Sequence, residues 1–281
     1  MIVTFYGVRG SMPAVGAEFT KYGGNTACVH IELTDGTDIV LDSGTGIVPL
    51  GEKLAQKDTP IHLLLTHNHW DHIQGFPFFR PAYQQGRQIQ ITPGLTEPKQ
   101  DTAILEQMSA TWFPISYQQL SADIRFSYLN GQDNWKIGSA NISRTKINHP
   151  GGGSAYLIED NGIKLAYITD NELAPPYPQE TSYNEWLSFL QSVDLLIHDA
   201  QYAEQDMPFK HGWGHSVIEQ TVELACQAKV KQCALYSHDI SRTDQHIDRQ
   251  LIAIDQYLTE HEEFEIDIFA AAEGMVIELN G

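Results

Sequence analysis

The sequence predicts a single α/β domain spanning residues 1–281, and three observations carry that expectation. Short apolar runs bounded by Gly, Asp or Asn alternate with stretches of helical periodicity. The 281 residues are 42% apolar, enough to bury a large core in one unit. No repeat, low-complexity tract or linker divides the chain, and the Pro-rich stretch from Ala174 to Pro178 reads as an internal loop.

Strands are predicted over 1–7, 27–33, 38–41, 61–65, 87–92, 123–129, 141–147, 154–160, 163–169, 193–197, 232–236, 266–270 and 275–279. Asn161-Gly162 stands between two of these runs, the strongest short hairpin signal. Helices are predicted over 216–229, where Ser216-x-x-Glu219 offers a capping box, and over 244–260, where Ile247, Leu251, Ile254 and Leu258 share one face. Thr96 and Pro98 suggest a helix start near 97–110, and 46–57 and 183–192 are further helical stretches. Residues 76–140 lie between two motif regions and are candidates for a lid or pocket wall.

Composition narrows the function classes. No apolar run approaches the length of a membrane span. The start, Met1 to Phe5, reads as a strand and lacks the basic start and cleavage site of a signal peptide. Cys28, Cys226 and Cys233 are few and widely spaced, which fits buried thiols and a reducing cytoplasm. The net charge of −19 repels a polyanion, so a polynucleotide is not the expected partner. A small anionic substrate remains compatible if cations gather at one spot. A homo-oligomer is compatible with the sequence but not specified by it.

The chemistry concentrates in Thr66-His67-Asn68-His69-Trp70-Asp71-His72, directly after the apolar run Ile61 to Leu65. Such a run ends a buried strand, and open sheets carry their sites at that edge. The cluster His67, His69, Asp71 and His72 is too rich for one catalytic cation, which takes three protein ligands and water. Packing these groups together without metal would be costly. His149, Asp170 and His238 each follow a later apolar run and are candidates to complete two sets. Imidazole and carboxylate donors suit two divalent ions, zinc first, with manganese or iron as alternatives. His30, His62, His246 and His261 read instead as turn or capping residues, and His211 as a loop residue. For Trp70 and Phe76 to Phe79, core packing is the expectation, with stacking on a base as the alternative.

The HxHxDH loop resembles the signature of the metallo-β-lactamase superfamily. Asp42, in Val40-Leu41-Asp42-Ser43-Gly44, looks like the family's Asp that buttresses that loop, and His149, Asp170 and His238 come in the family order. The resemblance covers about residues 1–240 and implies a four-layer αββα sandwich. It implies that one metal takes His67, His69 and His149, that the other takes Asp71, His72 and His238, and that Asp170 bridges them. A hydroxide between the metals would then be the nucleophile.

A narrower resemblance points to the phosphodiesterase branch, which includes ribonuclease Z and cyclic-nucleotide phosphodiesterases. It rests on Leu196-Ile197-His198-Asp199-Ala200-Gln201, on His215-Ser216, and on Ser237-His238-Asp239-Ile240-Ser241-Arg242. The stretches from Lys21 to Thr26 and from His149 to Gly152 look like members of that branch with unassigned substrates. There His215 would protonate the leaving alkoxide and Asp199 would orient it, a task a poor leaving group requires. The chain departs from ribonuclease Z at Asp199, where Glu is usual, and at Gln201, where Thr is usual. It also lacks a tRNA-grasping arm between His149 and Asp170. The expectation is a dinuclear hydrolase of small phosphodiesters such as cyclic nucleotides. The rivals are thioester, lactone or β-lactam hydrolysis on the same site, and a metal-dependent nucleotide-binding domain without turnover.

Overall fold

The apolar runs pair into two seven-stranded sheets in a computed structural model that describes residues 1–261 and 264–280. In sheet order the first comprises β14 (Val276–Glu278), β1 (Ile2–Gly7), β2 (Cys28–Glu32), β3 (Asp38–Leu41), β4 (Ile61–Leu64), β5 (Gln88–Thr92) and β6 (Asp123–Phe126). The second comprises β13 (Asp267–Ala270), β12 (Gln232–Tyr236), β11 (Leu195–Asp199), β10 (Ile163–Ile168), β9 (Ser154–Asp160), β8 (Ala140–Lys146) and β7 (Asn134–Ile137). Strands run parallel from β3 to β6 and from β10 to β13, so each sheet presents a run of aligned C-terminal edges.

Alternation decides which faces meet. Val3, Phe5, Ile31 and Leu41 of the first sheet share one buried cluster with Tyr156, Ile158, Leu165 and Tyr167 of the second. The outer faces are covered by helices. The α1 helix (Ile47–Leu54) and the one-turn α2 (Trp70–Ile73) and α3 (Ala103–Glu106) pack on the first sheet. On the second lie α4 (Tyr183–Phe189), α5 (Ile218–Ala228) and α6 (Asp244–Glu260). This is the expected αββα order. Buried tyrosines staple the sheets: Tyr156 donates to Leu65 O and Tyr236 to Gly7 O, both at 2.6 Å.

Local expectations met mixed outcomes. Asn161 and Gly162 both take positive φ, 52° and 83°, and close β9 onto β10 as the hairpin signal requires. The predicted 244–260 helix forms over that span, and 183–192 is a shorter helix with a true capping box between Ser182 and Glu185. The capping box expected at Ser216 does not form. Val217 is the N-cap of α5, and Ser216 Oγ is spent on Asn171 O at 2.5 Å. The helix expected near 97–110 shrinks to α3, because Thr96 bridges Gly152 and Glu97 N donates to Gly151 O, which holds that stretch extended. Strand β7 was not anticipated, since only Trp135 and Ile137 alternate with exposed polar residues there. His30 and His62 are strand residues, on β2 and β4, and not turn residues.

Residues 76–140 supply β5, β6 and β7, so the stretch builds sheet edges. All three cysteines are buried. Among the described residues, no helix is long and apolar enough to cross a membrane.

Candidate metal centre

The site forms where the C-terminal edges of both sheets converge. His67, His69, Asp71 and His72 follow β4; His149 follows β8; Asp170 follows β10; Asp199 ends β11; His238 follows β12. Three of the residues just past strand ends, Asp42, Asp170 and Ser237, adopt left-handed φ of 58°, 51° and 62°. Such backbone costs ~1–3 kcal/mol per residue and persists where surrounding contacts enforce it, as at functional sites.

Two ligand clusters share one carboxylate. Ligand atoms of His67, His69, His149 and Asp170 lie within 4.8 Å of one another, and so do those of Asp71, His72 and Asp170. Asp170 Oδ2 stands 3.6 Å from His67 Nε2, 3.9 Å from His149 Nε2 and 3.2 Å from His72 Nε2. Asp71 Oδ2 is also 3.2 Å from His72 Nε2. His69 Nδ1 and His149 Nε2 face each other at 3.0 Å. Asp170 is thus the carboxylate common to both clusters.

The remaining nitrogens are committed elsewhere, which aims the rings. His72 Nδ1 donates to Asp42 Oδ2 at 2.9 Å, and His149 Nδ1 donates to Gly214 O at 2.9 Å. Asp42 in turn accepts from Thr66 N at 2.7 Å and Tyr167 OH at 3.0 Å. Asp71 Oδ2 accepts from Ser11 N at 2.8 Å.

These residues fit a metal pair by their chemistry. His67 Nε2 and His72 Nε2 are buried inside the clusters and make no hydrogen bond. A buried polar atom left so costs ~1–3 kcal/mol unless something else binds it. Burial, with the neighbouring imidazoles His72 and His149, holds the His67 pKa well below its usual value. Burial likewise lowers His149 to about 4 and depresses His69. Neutral imidazoles keep the lone pair a cation needs. At His72 burial opposes protonation, but Asp170, Asp71 and Asp42 outweigh it and raise the pKa. Burial opposes ionisation of Asp170 as well, and His72 and His215 reverse it.

His238 is placed differently. It belongs to neither cluster; its Nε2 donates to Ala271 O at 3.0 Å, and its main chain is bonded to Val8 O and Gly10 N. Burial pushes its pKa down to about 4, so the ring is neutral.

A third group of ligand-type atoms joins Asp170 to Asp199 and His215. His215 Nδ1 donates to Asp199 Oδ2 at 2.7 Å, and both residues are buried. Asp199 is fixed by Gln201 N at 2.9 Å and Asn171 N at 3.1 Å. Burial alone would deprotonate His215, but Asp199 and then Asp170 raise its pKa to about 9. Asp199 therefore overcomes the α5 N-terminus, which disfavours an imidazolium.

Sequence reasoning missed Glu172. Its buried carboxylate accepts from Gly212 N and Gly214 N, each at 2.9 Å, and so shapes the loop that delivers His215. The turn is tight: Gly214 has φ of 88°, and a Cβ there would fall 2.1 Å from His149 Nδ1. The signal available was only an acid two residues after Asp170. Trp70 also departs from expectation. It is 69% exposed and Phe78 is 62% exposed, whereas Phe76 and Phe79 are buried as the core-packing reading requires. Trp70 sits between two ligand residues on the one-turn α2, so its indole cannot follow the strand into the core.

His69, Asp71, His149 and Asp170 border an open pocket of about 480 Å³ that also involves Ser11, Trp70, Trp213 and His215. Residues 37–238 match the profile described as the Beta-lactamase superfamily domain. Ribonuclease Z of Staphylococcus haemolyticus (strain JCSC1435) is 26% identical over 94% of this chain and 95% of its own. The structure resembles unliganded yeast PDE1, with TM-score 0.69, 16% identity and 99% of both chains covered. It also resembles a diphosphatase from the PhnP family, with TM-score 0.68, 16% identity and coverage of 99% and 98%. From the converging His and Asp ligands and the matched domain, the chain is a metal-dependent hydrolase that belongs to the metallo-β-lactamase superfamily, on the branch that includes ribonuclease Z.

Proposed function

We propose that this chain hydrolyses small phosphodiesters, with cyclic nucleotides as the leading candidates, at a dinuclear site most suited to zinc. The observation that carries the reading is the buried pair of His215 and Asp199, joined at 2.7 Å beside Asp170. Bound divalent ions would supply charge neutralisation and an activated water. His67, His69, His149 and Asp170 would hold one ion, and Asp71, His72 and Asp170 the other, with His238 beside the second.

The protein's own work follows from its proton inventory. Without metal, Asp199 and Asp170 raise the His215 pKa, and with Nδ1 fixed on Asp199 the other ring nitrogen is the one left to hold a proton next to the pocket. A cation on Asp170 would absorb that carboxylate's charge and leave Asp199 as the chief partner. His215 can then give its proton to a departing alkoxide, a step that acyl substrates with good leaving groups do not need. Asp199 restores the proton affinity of the ring without itself meeting substrate.

Small substrates are favoured over RNA for two reasons. The chain carries a net charge of −19, which repels a polyanion. Between His149 and Asp170 it holds only a glycine turn and the β9–β10 hairpin, with no arm to grasp tRNA. A preparation loaded with zinc or manganese, offered cyclic nucleotides, dinucleotides, a tRNA precursor, thioesters and lactones, tests the reading. We expect turnover of the small diesters to exceed the others. Faster cleavage of thioesters or lactones, or tRNA processing at a matching rate, would overturn it.

A further inference from the structure

We propose that Trp70 and Trp213 form an aromatic clamp for the nucleobase of the substrate. The inference deepens the phosphodiesterase reading and rests on it. Both indoles border the pocket that contains His69, Asp71, His149, Asp170 and His215. Trp70 is 69% exposed and Trp213 58% exposed, in a chain that buries Trp186 completely. Large aromatic surfaces left in water are costly, and two at one pocket mark a binding surface.

The backbone on either side of each indole is fixed. Trp70 lies between His69 and Asp71, at the first position of α2. Trp213 is pinned on both sides: Gly212 N and Gly214 N donate to the buried Glu172 carboxylate, and Gly214 O accepts from His149 Nδ1. The contacts that orient a ligand residue thus also fix the indole's exposure. Lys210 Nζ lies 4.2 Å from the Trp213 ring centroid, a cation–π contact that places positive charge next to the indole. A planar ring stacked on preorganised indoles loses little entropy, and every base offers such a face. A phosphodiester held at the ligand clusters would leave its base at the mouth, where the two indoles stand.

The test compares a base-bearing diester, adenosine 3′,5′-cyclic monophosphate, with a base-free one, the cyclic phosphate of 1,3-propanediol. In the metal-loaded protein, Trp213→Ala should raise KM for the adenosine diester about tenfold or more, in line with the loss of one stacked base. Turnover of the base-free diester should change by less than about threefold, and Trp213→Phe should restore most of the KM. Trp70→Ala should act in the same direction, provided that its metal content matches the wild type. Equal losses on both diesters, or no loss on either, would overturn the clamp while leaving the phosphodiesterase reading intact. If the wild type turns over neither diester, that reading fails, and calorimetry still decides the clamp. Adenosine 5′-monophosphate should then bind the wild type at least about tenfold more tightly than Trp213→Ala, with inorganic phosphate binding both alike. Identical affinities for the monophosphate would overturn it.

Discussion

At the start of β3, Asp38 accepts from His30 Nε2 at 2.8 Å; just past its end, Asp42 accepts from His72 Nδ1 at 2.9 Å. Both pairs are buried. Around them the two ends diverge. Lys57 Nζ, at 2.9 Å, and Thr59 Oγ1, at 2.7 Å, complete Asp38, so its charge is cancelled locally. Burial works against ionisation of Asp38, but the hydrogen bonds from His30, Lys57 and Thr59 prevail and hold its pKa well below the usual carboxylate range. Asp42 has neutral donors, Thr66 and Tyr167, and among the described ion pairs no lysine or arginine reaches it.

The difference teaches what marks a site. His30 Nδ1 is buried and unpartnered, just as His72 Nε2 is, so an orphan nitrogen alone signifies nothing. His72 Nε2 is distinguished by convergence: Asp71 and Asp170 each stand 3.2 Å away, and among the described ion pairs no lysine or arginine reaches either carboxylate. The end of β3 is an unfinished circuit that divalent ions would complete, whereas the start is a closed one that holds the sheet together.

The largest effect should come from the unfinished end. Asp71→Ala removes a proposed ligand whose carboxylate otherwise meets His72 Nε2 and the Ser11 amide, so turnover should vanish while the fold survives; circular dichroism and metal analysis check it. Full activity with full metal content would remove Asp71 from the ligand set. Next, His215→Ala should lower turnover of an alkoxide-leaving diester by about 10²–10⁴-fold and bis-nitrophenyl phosphate hydrolysis far less. Equal losses would indicate a positioning role.

Smaller effects separate the two ends of β3 directly. Asp42→Asn should weaken metal affinity by about 10–100-fold, as removal of a ligand's orienting partner does. Asp38→Asn should leave metal affinity unchanged and cost ~1–3 kcal/mol of stability through a broken buried network. Because the folded pKa of Asp38 is depressed, its contribution is full above the unfolded value of about 4 and is lost as pH falls through the folded value. The stability gap between wild type and Asp38→Asn should therefore narrow below about pH 4. Equal weakening of metal binding by both variants would erase the contrast.

How much of this was legible depended on sequence distance. His67, His69, Asp71 and His72 fall within six residues, and their density alone demanded cations. His149 and Asp170 stood out only as ligand types after apolar runs, and Asp199 and His215 only through the family resemblance. Glu172 was invisible because its partners, Gly212 and Gly214, lie forty residues on and use backbone amides, which no pattern of side chains announces. Ser216 misled for a related reason. Its hydroxyl could cap a helix locally, but the tertiary acceptor Asn171 O claimed it. The exposure of Trp70 was equally hidden, since an indole reads as core until the strand is seen to end before it.

The central claim is that the converging His and Asp side chains hold two ions, with Asp170 shared between them. Titration of metal-free protein with zinc or manganese, followed by elemental analysis, tests it most directly. The wild type should saturate at two ions per chain, falling towards one in Asp71→Ala; saturation of the wild type at a single ion would rule out the shared pair.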